Sequence, residues 1–549
     1  MDSEKVVTKR SIKLLLLFLC LHGGFLFAQK RLPGSKPKLI VQVVVGQMRS
    51  DYLLRFERNL SSEGFRILLD EGAFCQNARY SYMLTQTVPG LATIATGAQP
   101  AQHGLPSGCW YDRAQGDMQE ACGDPQQALL ESSNEQLKKS PRHLIASTFS
   151  DELKLISQRS KVLGVALEPE EAILPAGHGS DAAYWFDDMS GRFVSSAYYM
   201  EQLPEWLREF NAKQFTETYL HRSWETLLPA AKYTCCDTAR QSSVAADMPL
   251  TLMPAELPKK SGRPNYGRLR ETPYGDNLVK DLAISAIVSE GLGEDEETDM
   301  VAIYFGAMRN VGNAHGALSV ELEDAFYRTD ENIRHLIEFL NRHVGKENLL
   351  LVLTSDHGVN LPQQQLDKAK VPHGTFDYNK ALVLLRSYLD IVYGKGSWVK
   401  SFTQKQIFLN HTLIEDASLR LRDVQDCAAG LMLQFSGVAH VATSHALGEA
   451  TFADGAMRAM QNSFFPKRSG DIMLNLEPGW TEEADNLLPA GSAYTYDARV
   501  PLAFYGWRIK RKTIASPVDM ADVAPTLSTL LGIPMPNAAS GKAIAEIVE

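Results

Sequence analysis

The feature that most constrains the fold is a series of short apolar runs, several of which alternate with helical patterns. Residues 38–45 read KLIVQVVV, are rich in β-branched residues, and precede the helix-like segment MRSDYLLRFERNL. Further strand-like runs lie at residues 161–167, 299–305, 348–354, 381–385, 471–476 and 501–505. Because helical patterns such as residues 321–343 alternate with these runs, the sequence predicts an α/β fold with a mostly parallel, doubly wound sheet and helices on both faces.

Two less regular blocks interrupt this pattern. Residues 188–270 contain four prolines between positions 249 and 264, and residues 395–465 carry a helical pattern at 419–435 followed by an Ala/Gly-rich stretch. With 549 residues, of which 44% are hydrophobic and 22% charged, the chain is long enough for one large domain with insertions. We therefore expect a single domain at 29–549 with cap-like insertions at about 188–270 and 395–465.

The first 28 residues have the pattern of a signal peptide. Four cationic residues between positions 5 and 13 precede an apolar run at 14–28, and Ala28 offers a cleavage site. An uncleaved membrane anchor is the alternative, but this run is short for a span. No second run of spanning length follows, so we expect a mature protein without a membrane span in the periplasm or another extracytoplasmic compartment.

Charge and cysteine content exclude two classes of site. The formal net charge of −10 and the absence of a long basic run argue against a nucleic-acid partner. Six cysteines follow the leader without a CxxC pair, so a cysteine zinc site has little support. An oxidising compartment permits disulfides, and Cys109–Cys122 is the local pair that we predict.

The segment at residues 85–105, TQTVPGLATIATGAQPAQHGL, predicts a turn that enters a short helix. Pro89 suits the first helical turn and Gly97 suits the helix end. This geometry places Thr87 at a helix N-terminus, where backbone N–H groups and the helix dipole favour a phosphate-like anion. Thr87 is therefore the candidate nucleophile, and a helix cap is the alternative role for this threonine.

The surrounding motifs carry a family resemblance. T-x-P-G, IATG, P-x-x-H-G and the WYD at 110–112 resemble the nucleophile segment of the alkaline phosphatase superfamily. Within it the chain is most similar to phosphate-irrepressible bacterial alkaline phosphatases and to nucleotide pyrophosphatase/phosphodiesterases, and the similarity extends from about residue 38 to the C-terminus. The resemblance implies an alkaline-phosphatase-like sheet and a phosphoryl-transfer site with two zinc ions, which activate the nucleophile and neutralise the leaving oxygen.

Most of the zinc ligands that the resemblance implies are replaced. The segments VVVGQMR, AMRNVGN and YDARVP align with the family's ligand segments and carry glycine, arginine or asparagine where the family has aspartate or histidine. Three of the seven implied metal contacts are kept: Thr87, Asp356 and His357. Four are replaced: Gly46, Arg309, Asn313 and Arg499. One zinc site thereby loses all three protein ligands and the other loses one, so we expect no zinc, or at most one weakly bound ion.

The phosphate-binding positions change in the same way. Gly108 stands where the family has an asparagine donor, and Glu168 and Glu170 stand where a lysine and an arginine grip the phosphate. These two carboxylates would repel a phosphate. We expect Arg309 and Arg499 to replace the missing zinc charge and to pair with Glu168, Glu170 or Asp356. His178, in the shared AILPAGH, is expected to serve packing.

The resemblance and the replaced ligands together predict a secreted, non-catalytic pseudophosphatase. Its pocket would bind a small anionic ligand, or its surface would bind a partner in the envelope. The alternative is an active phosphomonoesterase or phosphodiesterase that uses Thr87 as covalent nucleophile. It would hold one metal on Asp356, His357 and Thr87, or recruit His315 as a shifted ligand.

Overall fold

The computed structural model describes residues 36–549 except 236–244, 246–247, 254–258, 261–262 and 483–490. The predicted signal peptide lies outside these residues. Within the described residues, no helix combines the length and the apolar character that crossing a membrane would require.

The described chain contains the following β-strands: β1 Leu39–Val45, β2 Ala73–Arg79, β3 Cys109–Asp112, β4 Asp117–Glu120, β5 Leu129–Leu130, β6 Val162–Val165, β7 Ala182–Asp187, β8 Arg192–Ser196, β9 Trp224–Glu225, β10 Thr251–Met253, β11 Lys259–Lys260, β12 Arg263–Pro264, β13 Asp299–Phe305, β14 Leu349–Thr354, β15 Gly374–Phe376, β16 Val399–Thr403, β17 Gln406–Leu409, β18 Val438–Thr443, β19 Ile472–Leu476, β20 Trp480–Glu482, β21 Leu502–Gly506 and β22 Lys512–Asp519.

The α-helices of the described chain are α1 Tyr52–Arg55, α2 Phe65–Glu71, α3 Thr87–Thr96, α4 Pro100–His103, α5 Phe149–Ile156, α6 Pro169–Ala176, α7 Glu205–Ala212, α8 Phe215–Leu220, α9 Tyr274–Glu290, α10 Ala307–His315, α11 Val320–His343, α12 Gln363–Lys368, α13 Tyr378–Tyr393, α14 His411–Asp416, α15 Leu421–Met432, α16 Ser444–Glu449, α17 Gly455–Ser463, α18 Thr495–Ala498, α19 Val523–Leu531 and α20 Ala545–Val548.

A ten-stranded sheet with the order β22-β2-β21-β14-β1-β13-β6-β7-β8-β5 forms the centre of the molecule. The middle five strands, from β14 to β7, are mutually parallel, while β21 and β8 pair antiparallel with their neighbours. The strands β1, β13 and β14 are buried along their whole length, as expected for parallel strands that are covered on both faces. The predicted α/β fold with a mostly parallel sheet is confirmed.

Two hydrophobic clusters cover the two faces of this sheet, because alternate residues of each strand point to opposite sides. In β1, Val41 and Val43 belong to one cluster, whereas Ile40 and Val44 belong to the other. A third cluster lies around a separate four-stranded sheet, β16-β17-β19-β18, which we call the accessory sheet. The accessory sheet occupies part of the block that the sequence marks as irregular at 395–465.

Most predicted strands are present, but one is wrong. Residues 381–385 belong to helix α13, not to a strand. In α13 the buried residues Ala381, Leu385 and Leu389 are spaced by four, which is the period of one helix face. The predicted strand at 471–476 exists as β19 but belongs to the accessory sheet.

Candidate active site

Four neighbouring parallel strands, in the order β14-β1-β13-β6, end at the candidate site. The carboxyl ends of parallel strands meet at one edge of a sheet, where open α/β sheets bind their ligands. The segments that follow these strands carry Asp356, Gly46, Arg309 and Glu168, in that order. Residues that are far apart in the sequence are thereby brought to a common edge.

Helix α3 presents Thr87 to this edge. Thr87 is the first helical residue, after Gln86 in extended conformation, and Gly97 ends the helix in the left-handed conformation that glycine favours, with φ +66°. A Cβ atom at Gly90 would lie 2.2 Å from the carbonyl oxygen of Asp356, so the helix packs there only because residue 90 is glycine. The T-x-P-G motif thus fixes Thr87 beside the Asp356 segment.

The three kept metal contacts converge. Thr87 Oγ1 lies 3.4 Å from His357 Nε2, which lies 3.5 Å from Asp356 Oδ2. His357 Nδ1 lies 2.6 Å from the carbonyl oxygen of Gly358. Because a carbonyl only accepts hydrogen bonds, Nδ1 carries the proton in the neutral ring, and the Nε2 lone pair faces Thr87.

Asp356 is buried, and both of its carboxylate oxygens accept hydrogen bonds. Its Oδ1 accepts from the backbone N–H groups of Gln47 at 2.8 Å and of His357 at 2.9 Å, and its Oδ2 accepts from Tyr304 Oη at 2.9 Å. Burial acts to raise the pKa of Asp356, but His357, the Gln47 N–H and Arg309 together hold that pKa below its usual value. A carboxylate therefore persists at this position.

Tyr304, which no sequence motif marks, occupies the space beside Gly46. A Cβ atom at Gly46 would lie 2.3 Å from Tyr304 Oη. The space into which a ligand side chain at position 46 would extend is therefore filled by the Tyr304 ring. The Tyr304 hydroxyl in this space donates its proton to Asp356.

Arg309 inserts its guanidinium group between Thr87 and the sheet. Its Nη1 lies 3.3 Å from Thr87 Oγ1, 3.3 Å from Tyr304 Oη and 2.5 Å from Glu171 Oε1. Its guanidinium carbon lies 5.6 Å from the centre of the Tyr304 ring, within the range of a cation–π contact. The prediction that Arg309 pairs with Glu168, Glu170 or Asp356 was wrong, because its ion pair is with Glu171.

Glu171 is the buried member of this pair, with its side chain 1% exposed. Burial raises the pKa of Glu171, and the positive charge of Arg309 opposes that rise. Glu171 also accepts from the backbone N–H of Glu168, which closes a capping box at the start of α6. The position of its carboxylate is therefore set by the helix terminus as well as by Arg309.

The other two glutamates of this segment have cations of their own. Glu168 pairs with Arg270, which also pairs with Asp188 at 2.9 Å. Glu170 pairs at 3.1 Å with Lys139, whose side chain is 7% exposed. The expectation of two free anions is thus corrected: each glutamate is ion-paired with a basic residue from elsewhere in the chain, although Lys139 also pairs with Glu120.

Arg499 does not take part in this network. Its Nη2 donates to the carbonyl oxygen of Gln76 at 2.6 Å, and the side chain is exposed to solvent. The prediction that Arg499 pairs with Glu168, Glu170 or Asp356 was therefore wrong. The two arginines at replaced ligand positions have different surroundings, one buried against carboxylates and one at the surface.

The remaining predicted positions lie as follows. Asn313 Oδ1 is buried and has no hydrogen-bond partner within the described residues. His315 is exposed, with its ring 6.4 Å from that of Trp224. A Cβ atom at Gly108 would find its nearest neighbour at 3.9 Å, so that position has room for a side chain.

Two further predictions concern residues outside the site. His178 contacts Asp151 at 2.8 Å and the carbonyl oxygen of Leu144 at 2.9 Å, in agreement with a packing role. The predicted disulfide was wrong, since Cys109 and Cys122 are both free thiols.

The charge of Arg309 acts against a metal ion beside Thr87. Within the described ranges, no group of three or more His, Cys, Asp or Glu side chains has an arrangement that would hold a metal ion. The Arg309 guanidinium contacts the hydroxyl that a zinc ion would activate. A fixed guanidinium about 4 Å from a dication costs on the order of 8 kcal/mol at an effective dielectric constant near 20, so binding next to Arg309 is opposed.

Sequence reasoning missed four residues of this network: Tyr304, Glu171, Lys139 and Arg270. For Glu171 a signal was present, because a glutamate three residues after Glu168 at a helix start has the spacing of a capping box. Lys139 and Arg270 lie in segments of the chain without a motif, and no sequence pattern links them to the glutamates.

Comparison with known proteins identifies the relatives of this chain. Residues 40–496 match the family model "Type I phosphodiesterase / nucleotide pyrophosphatase". The alkaline phosphatase PafA of Elizabethkingia meningoseptica is 32% identical over 97% of this chain and 98% of its own length, and the alkaline phosphatase PhoV of Synechococcus elongatus is 31% identical over 94% of each. The crystal structure of wild-type PafA superposes with a TM-score of 0.88 at 30% identity, over 94% of this chain and all of that one.

Proposed function

Because this chain belongs to the type I phosphodiesterase/nucleotide pyrophosphatase family, we propose that it is a pseudophosphatase, a member that keeps the fold and the nucleophile but not the catalytic metal centre. The observation that carries the proposal is the position of Arg309. Its guanidinium contacts Thr87 Oγ1 at 3.3 Å and is held by the buried Glu171. A permanent cation therefore stands at a replaced metal-ligand position, and it cannot accept a metal ion.

The pairing of the three glutamates supports the same proposal. Phosphoryl transfer requires cationic or N–H donors on the oxygens of the transferred group. Here Lys139 and Arg270 are engaged by carboxylates, and Gly108 offers no side-chain donor. We infer a binding role outside the cytoplasm, for a small anionic ligand or an envelope partner, with the leader at 1–28 as the basis for the location.

One observation favours an active single-metal hydrolase as the second candidate. His357 Nε2 lies 3.4 Å from Thr87 Oγ1 and 3.5 Å from Asp356 Oδ2. The Nε2 lone pair is free to bind a metal, since Nδ1 donates to Gly358. For this candidate Arg309 would have to swing away from the hydroxyl.

Zinc content and turnover separate the two candidates. The purified mature protein is loaded with zinc, dialysed and measured by plasma mass spectrometry, and is assayed with p-nitrophenyl phosphate and bis(p-nitrophenyl) phosphate. Thr87→Ala is the matched control. We expect well under one equivalent of zinc and equal background rates for both proteins. Thr87-dependent turnover with about one equivalent of bound zinc would establish the second candidate. Thr87-dependent turnover with about two equivalents of bound zinc would refute the proposed loss of the metal centre.

A further inference from the structure

A second cavity lies apart from the candidate active site, against the accessory sheet. It has a volume of about 650 Å³ and opens between the turn that follows β3 and the helices α14 to α16. This volume is within the range of small-molecule sites, which often lie where two structural units meet. Its polar lining comprises Arg113, His411, Arg422, Gln425, His445 and Lys467.

A buried carboxylate organises one wall of this cavity. Asp471, whose side chain is 2% exposed, accepts from His411 Nε2 at 2.7 Å, from Arg113 Nη2 at 3.1 Å and from Gln425 Nε2 at 3.2 Å. It also accepts from the backbone N–H of Leu409 at 2.8 Å. Four donors satisfy this carboxylate and hold the side chains of His411 and Arg113 in place.

Donors remain available on the lining. His411 donates its Nε2–H to Asp471, so Nδ1 of the neutral ring is an acceptor and adds no donor. Arg113 Nε is buried and has no hydrogen-bond partner among the described residues, and Lys467 is exposed and makes no ion pair with any of them. Arg422 makes a long ion pair with Asp426, at 3.9 Å, and both side chains are largely exposed.

The two acidic residues of the lining already accept hydrogen bonds from the protein. Asp471 is satisfied by the contacts above, and Asp112 Oδ1 accepts from the backbone N–H groups of Ala114 at 2.8 Å and Gln115 at 3.1 Å. Leu421, Phe464 and Pro466 supply an apolar part of the lining. The cavity therefore combines three permanent cations, of which Arg113 is paired with Asp471, with two carboxylates, two histidines and a surface for an apolar body.

We propose that this cavity binds a small organic oxyanion, a phosphate or carboxylate group on an apolar or aromatic body. The anionic group accepts hydrogen bonds from Lys467, Arg113 and Arg422, and the body lies on Leu421 and Phe464. None of these residues contacts Thr87, so the proposal is independent of whether the candidate active site is catalytic.

Isothermal titration calorimetry with the full mature protein, in the presence of EDTA, tests the proposal. The probes are phenyl phosphate, benzoate and phenol, which separate the phosphate, the carboxylate and the apolar body. We expect at least one anion to bind and phenol not to bind. Lys467→Gln and Arg422→Gln should each weaken binding about tenfold, the effect of losing one hydrogen bond to a charged group.

Two controls locate the site. Lys395→Gln removes an exposed lysine that does not line the cavity and should leave binding unchanged, and Thr87→Ala should do the same. Preference for phenyl phosphate assigns an organic phosphate, and preference for benzoate assigns a carboxylate. The proposal would be overturned if neither anion bound, or if phenol bound as tightly as the anions. It would also be overturned if both cavity variants kept the wild-type affinity, or if Thr87→Ala lost binding.

Discussion

Replacement of Arg309 by glutamine tests the ion pair on which the proposed function depends. Arg309→Gln removes the charge that faces Glu171 at 2.5 Å and leaves a carboxylate in a side chain that is 1% exposed. Breaking a buried pair by removing one partner costs about 3–5 kcal/mol, because the remaining charge is uncompensated. The alternative for the protein is to protonate Glu171.

Protonation limits the loss and makes it depend on pH. Neutralising a glutamate of ordinary pKa, about 4.3, costs about 4 kcal/mol at pH 7.5 and about 1 kcal/mol at pH 5. In Arg309→Gln the opposing charge of Arg309 is gone, so burial raises the folded-state pKa of Glu171 further above its unfolded value. The destabilisation is therefore small near pH 5 and grows as the pH rises to 7.5. We therefore expect Arg309→Gln to lower the free energy of unfolding by about 3–4 kcal/mol at pH 7.5 and by about 1 kcal/mol at pH 5.

Urea unfolding of four proteins at the two pH values measures this effect: wild type, Arg309→Gln, Glu171→Gln and the double variant. Glutamine at 171 preserves the capping contact with the backbone of Glu168. Because the double variant contains no unpaired carboxylate, we expect a coupling free energy of about 2 kcal/mol or more at pH 7.5. This account would be refuted if Arg309→Gln lowered the free energy of unfolding by less than about 1 kcal/mol at pH 7.5, or by the same amount at both pH values. Strict additivity of the two single-variant effects in the double variant would also refute it.

Three further predictions test other parts of the site. Gly46→Asp should lower the melting temperature and leave the zinc content unchanged, because the new Cβ would lie 2.3 Å from Tyr304 Oη. Gly108→Asn is the matched control, since the nearest atom to a Cβ at that position lies 3.9 Å away. A gain of zinc in Gly46→Asp would contradict the steric argument. Arg499→Gln should change the free energy of unfolding in urea by less than about 0.5 kcal/mol, since its hydrogen bond to Gln76 lies at the surface, and a loss similar to that of Arg309→Gln would show that it has a buried role. Burial raises the pKa of Asp276 to about 7, so its folded state holds a proton more tightly than the unfolded chain and stability falls as pH rises from about 4 to about 7. Asp276→Asn should flatten that part of the profile of melting temperature against pH, and an unchanged slope would exclude Asp276 as its source.

The sequence predicted five of the ten strands of the main sheet, β1, β6, β13, β14 and β21, because each is a largely apolar run, and it did not predict β2, β5, β7, β8 and β22. Strands such as β13 are buried on both faces and leave a continuous apolar run. The same rule failed for residues 381–385, where Val383 and Leu384 are 61% and 45% exposed on a helix surface. Composition could not distinguish an exposed apolar helix face from a buried strand.

The convergence of Thr87, Asp356 and His357 was predictable, because each residue follows a strand or opens a helix at a known edge of the sheet. The partners of the charged residues were not. Glu168 and Glu171 form the capping box of the first turn of α6. Glu170 lies between them in the sequence and forms an ion pair with Lys139, in a segment before this helix. The ion-pair partner of each glutamate depends on the direction of its side chain around one helical turn. It also depends on the position of chain segments that carry no sequence motif.

The replacements around Thr87 form a mutually dependent set, which argues against independent drift at each position. Tyr304 requires glycine at 46, since any side chain there would meet its hydroxyl. Arg309 packs over the Tyr304 ring and is neutralised by Glu171, which in turn caps α6. A side chain introduced at position 46 would clash with Tyr304, and removal of Arg309 would leave the buried Glu171 unpaired, so each of these single changes costs stability. If the metal centre is lost as proposed, selection for a folded protein is therefore sufficient to keep it from re-forming one substitution at a time.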